Sequence, residues 1–132
     1  MFTANKTITV SGQLGRTYQV TTQVEAGNRE SLNEPIPLGS TNLEIGLTMD
    51  VSQIKMLAMQ CDQDVTVKTN NTSPVNLFTL KAGVPFIWVT GGAALQDTVP
   101  ANVTVDITKL YVTNASGVDA TFSLDALVDP TV

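Results

Sequence analysis

The residues best suited to chemistry in this chain are its aspartates, and two of them sit in matching contexts. Residues 49–54 read MDVSQI and residues 105–110 read VDITKL. Each stretch is an Asp, a β-branched residue, Ser or Thr, any residue, then an aliphatic one. The match continues downstream, where Asp64-Val-Thr-Val follows the first and Asp119-Ala-Thr-Phe the second, at offsets that differ by a single residue. Paired carboxylates could do general acid–base work, or bind Ca²⁺ with further oxygen ligands such as Asp62 and Asp64. The structural alternative is that Asp50 and Asp106 are two copies of one turn cap. An Asp side chain accepts hydrogen bonds from backbone N–H groups two or three residues ahead, and Ser52 or Thr108 can add a local bond. Asp62-Gln-Asp64 lacks the ligand density of an EF-hand loop, so the structural reading is preferred and no metal or cofactor is expected.

Other catalytic chemistry is poorly supplied. The chain has no His, which removes the commonest general base and most transition-metal sites. It has no Walker loop or dinucleotide fingerprint. Cys61 ends an apolar run and reads as a small buried hydrophobe without the base a nucleophile needs. Trp88, in PFIWV, could stack on a sugar, but its strand is the most apolar in the chain and core packing is the better expectation. No enzyme is expected.

The elements that must position these residues read as β-strands. Thr and Val are the commonest residues and make up about a quarter of the 132. Both are β-branched and suit a pleated, half-buried surface. Alternation is clear in Tyr18–Val24, Leu43–Met49, Val65–Thr69, Val103–Ile107 and Ala120–Ala126. Ile54–Cys61 and Val84–Thr90 are continuous apolar runs, as expected of strands covered on both sides, with Pro85 near a strand start or on an edge. Turn signals recur at intervals of about ten residues, the spacing of a β-sandwich or barrel. One domain over 1–132 is expected, an all-β antiparallel sandwich of about eight strands with one or two short helical turns.

Two segments read as long loops: 25–42 (EAGNRESLNEPIPLGSTN) and the small, apolar 91–102 (GGAALQDTVPAN). Residues 1–11 read as an N-terminal arm. Arg16, Arg29, Glu30, Ala93 and Leu95 are the candidate interface residues.

The surface chemistry excludes some partners. The charged fraction is 14% and the net charge −5, and the seven basic residues are scattered. Nucleic-acid binding would require a basic stripe or basic–aromatic interleaving. The opening MFTANKTITVSG has no charged region followed by an apolar one, so no secretion signal is expected, and no run approaches the ~18 apolar residues of a membrane span. The N-x-S/T triplets at Asn5, Asn70, Asn71, Asn102 and Asn114 read as chance in a Thr-rich chain.

DVSQIKMLAMQCDQDVTVKTN, LFTLKAGVPFIWVT and VDITKLYVTNASGVDATFSL, within residues 43–128, resemble small β-sandwich proteins of tailed-phage structural gene clusters. These are capsid decoration, cement or minor head proteins. The resemblance implies a jelly-roll-like sandwich, often a homotrimer, on the capsid surface of the virion after synthesis in the host cytoplasm. Its partner would be the major capsid protein, and Asp50 and Asp106 would be structural turn caps. The competing expectation is a carbohydrate- or receptor-binding jelly roll of a phage head or tail fibre.

Overall fold

The computed structural model describes residues 2–13, 15–72, 77–89 and 106–129. Ten strands are present among them: β1 (Phe2–Val10), β2 (Tyr18–Ala26), β3 (Asn28–Ile36), β4 (Leu43–Met49), β5 (Ile54–Cys61), β6 (Val65–Thr69), β7 (Leu77–Leu80), β8 (Phe86–Val89), β9 (Ile107–Thr113) and β10 (Ala120–Val128). A single 3₁₀ turn, Val51–Gln53, joins β4 to β5.

Eight strands form two four-stranded antiparallel sheets, ordered β3-β10-β5-β8 and β4-β9-β6-β7. Counted from β3, the first sheet takes the first, eighth, third and sixth strands, and the second sheet takes the second, seventh, fourth and fifth. That is the strand order of a jelly roll, a double Greek key closed face to face. The chain is therefore an all-β, jelly-roll-like sandwich.

Period-2 alternation explains the core. Ile45, Leu47 and Met49 of β4 point inward, as do Val65 and Val67 of β6 and Phe78 and Leu80 of β7. From the facing sheet come Leu57, Met59 and Cys61 of β5 and Phe122, Leu124 and Ala126 of β10. Phe78 and Phe86 meet edge to face at 5.0 Å between ring centroids across the two sheets. β9 breaks strict alternation, with Ile107, Leu110 and Val112 all buried. A register shift, in which β4 from Gly46 to Met49 runs one residue longer than β9 from Lys109 to Ile107, keeps both inward sets aligned.

The remaining two strands form a separate hairpin, paired without interruption from Phe2↔Ala26 to Val10↔Tyr18. Its base lies on the outer face of the first sheet, where Ala4, Val24 and Ala26 pack with Met56, Val89 and Leu127. This second layer explains why β5 reads as a continuous apolar run: Leu57 and Met59 face the sandwich core, and Met56 faces the hairpin. The expected N-terminal arm 1–11 is thus largely β1. Lys6 interrupts the alternation of Phe2, Ala4, Ile8 and Val10, which hid this strand.

The segment 25–42 is not a loop through most of its length. Asn28–Ile36 is β3, paired with β10 along its whole length and free on its other side among the described residues. Its two charges near the start, its Asn and Ser residues and Pro35 are what an edge strand tolerates, because one side of its backbone owes no ladder bonds. The other expected loop, 91–102, lies outside the described residues, as do Val103 and Val105.

Phe122 is fully buried near the start of β10, which lies between β3 and β5. Phe122→Ala is expected to cost about 3–5 kcal/mol, the range for emptying a large aromatic site. Urea unfolding checks this, with the midpoint falling at unchanged slope.

Candidate functional site

Every connection from β3 to β10 except β6–β7 carries the chain from one sheet to the other. The backbone N–H groups at such crossings have no ladder partner, and burying them unpaired is costly. The side chains singled out in the sequence converge on this problem.

At the β4–β5 crossing, Asp50 has extended backbone and caps the 3₁₀ turn. Its Oδ1 accepts from the Ser52 N–H at 2.9 Å and the Ser52 hydroxyl at 2.6 Å. The Ser52 hydroxyl first, then the Ser52 N–H, hold the Asp50 carboxyl below its ordinary value, with the nearby Asp106 side chain a lesser contributor. A general acid needs the opposite shift, so the environment of Asp50 favours a cap that is charged at neutral pH.

Asp106 does a different job. Its Oδ1 accepts from the Val51 N–H at 2.9 Å, from a residue 55 positions earlier. It therefore serves the turn that Asp50 caps. The local N–H that an Asx-turn at Asp106 would use, that of Thr108, donates instead to Asn70 Oδ1 at 2.7 Å. Asn70 also donates its side-chain amide to the Asp106 carbonyl at 2.7 Å and its backbone N–H to the Lys109 carbonyl at 2.9 Å. Asn70 holds a left-handed φ of 66°, which Asn tolerates better than most residues. The two aspartates thus meet at one exposed end of the sandwich, tying the β4–β5 turn to the start of β9, with Asn70 at the end of β6 as the third member.

The true sequence repeat of the Asp50 device is elsewhere. Asn114 Oδ1 accepts from the Ser116 N–H at 3.1 Å and the Ser116 hydroxyl at 2.6 Å, the same two-bond pattern as Asp50 and Ser52. Asn114 is fully buried. Its amide donates to the carbonyls of Ile36 at 3.0 Å and Val118 at 2.8 Å, and its backbone bonds to both Ser40 and Gly39. The sequence shows Asn114 only as one of the N-x-S/T triplets read as chance; the Asn-x-Ser spacing was the available signal.

Three further aspartates behave alike. Asp119 accepts from the Leu38 N–H at 3.0 Å, Asp64 from Ala82 at 2.8 Å, and Asp62 from Thr121 at 2.8 Å. Asp62 and Asp64 do not join Asp50 and Asp106, and no group of three His, Cys, Asp or Glu able to hold a metal occurs among the described residues.

The candidate interface residues are dispersed. Arg29 pairs with Asp125 of the neighbouring strand at 3.1 Å, both half exposed, a surface pair worth at most about 1 kcal/mol. Glu30 lies on edge strand β3, half-buried, and Arg16 lies exposed in the β1–β2 loop. Ala93 and Leu95 lie outside the described residues. Cys61 is fully buried, and that burial pushes its thiol up. Trp88 is 5% exposed and packs in the core, so its ring offers no open face to a sugar. Its Nε1 has no hydrogen-bond partner among the described residues.

One open concavity of about 520 Å³ lies on the outer face of the second sheet. Thr66, Thr79 and Thr113 line it as neighbours across three strands, with Gln63, Asp64 and Ser116 beside them. Its chemistry is hydrogen bonding by hydroxyls; its one carboxylate already holds the Ala82 N–H and lies 3.8 Å from Lys81.

No family model matches the chain, and no curated protein matches it. Among solved structures it is similar to the Schizosaccharomyces pombe Cnp3 cupin domain, with 13% identity, 96% of this chain and 84% of that chain covered, and a TM-score of 0.39. The fold assignment rests on the strand order given above.

Asn114→Ala removes several buried hydrogen bonds at once and is expected to cost about 2–4 kcal/mol, measured by denaturant unfolding. Asp50 acts through its charge. Its folded pKa is lowered, so its contribution is present above the ordinary value of 3.8 and is lost as pH falls through the folded value. The stability gap between the parent and Asp50→Asn should therefore narrow as pH drops below 3.8. A gap constant with pH would show that the charge plays no part.

Proposed function

We propose that this chain is a structural virion protein, a capsid decoration or cement protein that binds the outer surface of an assembled capsid and bridges neighbouring major capsid proteins without catalysis. The observation that carries this reading is how the polar groups are used. Asp50, Asp62, Asp64, Asp106 and Asp119 all accept backbone N–H groups of their own chain, at the crossings between sheets. Meanwhile large apolar side chains stand exposed on the hairpin and on the loops, among them Leu38, Val84 and Val118. The chemistry is committed to holding the fold, and the unsatisfied surface is apolar. A jelly roll with such a surface suits attachment to other proteins, although the fold alone implies no activity.

The mechanism is mass action. A protein that binds only the assembled shell stabilises that shell by an amount that grows with the logarithm of its free concentration over its Kd. Contacts to two neighbouring capsomers act together, so modest individual affinities suffice. The carbohydrate-binding reading has less support, because the buried Trp88 cannot stack on a sugar.

Co-sedimentation with expanded and unexpanded capsids of the major capsid protein from the same genome tests the proposal. The chain should pellet with one lattice state and raise its thermal disruption temperature. Failure to pellet with either state would sink it.

A further inference from the structure

The β1–β2 hairpin has two faces of opposite character. Thr3, Asn5, Thr7 and Thr9 lie with Gln19, Thr21, Gln23 and Glu25 on one face, because cross-strand partners share a side. The other face is apolar, interrupted only by the Lys6↔Thr22 pair. On the base half of that face Ala4, Val24 and Ala26 pack on the first sheet, while Phe2 at its end is 43% exposed. On the tip half every large apolar residue is exposed: Ile8 37%, Val10 48%, Tyr18 57% and Val20 46%, in two directly opposed pairs. A lone two-stranded hairpin is marginal in water. Neither strand carries Pro, the register has no bulge, and no further strand pairs with either edge among the described residues. On β1 Lys6 guards the edge, whereas β2 carries no Lys, Pro or bulge.

We propose that a second copy of this chain covers this hairpin, by two-fold antiparallel pairing of β2 with β2 centred on Thr22. Three observations select this occupant and this edge. First, each copy carries −5, and Thr7–Val10 and Tyr18–Val24 contain no charged residue, so two copies meet there with least repulsion. Second, the register is self-complementary. It sets Val20 against the partner copy's Val24 and Tyr18 against its Ala26, with Gln19 facing Glu25 on the polar side. The same operation on β1 would set Lys6 against Lys6, and directly opposed like charges destabilise a sheet. Third, antiparallel pairing brings the exposed tip of each hairpin beside the buried base of the other. β1 rests on β10 and β2 reaches β5, so the free edge of β2 faces β8 and its exposed Ile87. The added strand would extend the apolar cluster of Val24, Met56 and Val89 across that face. The product is a four-stranded sheet, β1-β2-β2-β1, with one apolar face spanning two sandwiches. It is a two-fold assembly in place of the threefold one the phage resemblance implies, and it stands whether or not the chain binds a capsid.

Sedimentation velocity of the full chain should give a dimer. Val20→Lys should weaken it by at least about tenfold, since it places two charges in the new sheet. Trp88 emission should be unchanged, because Trp88 lies in the sandwich core and reports its folding. Thr22→Cys should form a disulfide-linked dimer on mild oxidation, because either kind of antiparallel pair puts the two Cα atoms within bridging range. Thr9→Cys, on the polar face of β1, should not. A monomer at every concentration tested, a trimer, a dimer indifferent to Val20→Lys, or Thr22→Cys that stays unlinked would each overturn the proposal. Capsid co-sedimentation of Val20→Lys separates this outcome from the capsid reading, since loss of the dimer and loss of pelleting are read independently.

Discussion

A jelly roll moves between its two sheets at nearly every connection, and each crossing strips backbone N–H groups of ladder partners. Here those groups are met by short acidic and amide side chains. Leu38 donates to Asp119, Val51 to Asp106, Ser52 to Asp50, Ala82 to Asp64 and Ser116 to Asn114. A carboxylate accepting an N–H makes a shorter and stronger bond than a neutral pair. The rest of the sandwich depends on these ties, because they set where each strand re-enters the core. Five of the chain's acids, Asp50, Asp62, Asp64, Asp106 and Asp119, are thus acceptors for its own backbone.

The two ends of the molecule solve different problems. Within the sandwich, apolar faces are mutually buried and the ends are sealed by the aspartate and asparagine ties. Outside it, the hairpin adds a partial third layer on the first sheet and leaves its tip uncovered. In the half of the hairpin that touches the sandwich Ala4, Val24 and Ala26 are packed, and in the half that does not Val10, Tyr18 and Val20 are the most exposed large apolar residues of any strand. One continuous face therefore passes from core to surface along a single pair of strands, which is why it reads as an interface.

Much of this was legible in the residues themselves. Strand content, the positions of most turns, the inward set of β4, β6 and β10, and the structural bias of Asp50 follow from local rules: side-chain period, β-branching and Asx-turn chemistry. Three strands escaped. β1 was hidden because Lys6 breaks its alternation, β3 because its Pro, Asn and charged residues look like a loop, and β7 because four residues are too few to show a period. All three lie at sheet edges, where burial does not impose a pattern on both faces.

The sequence by itself determined which segments extend, where they turn and which face of each is apolar, because those depend on neighbours one to four residues away. The tertiary structure alone decided partnership. It gave the Val51 N–H to Asp106 across 55 positions, handed the Thr108 N–H to Asn70, and made Asn114 rather than Asp106 the counterpart of Asp50. Two Asp-headed stretches that look alike in sequence became a cap and a cross-tie. The reason is physical: a side-chain acceptor binds whichever unpaired N–H the folded backbone brings within about 3 Å, and sheet order, not sequence distance, sets which one that is.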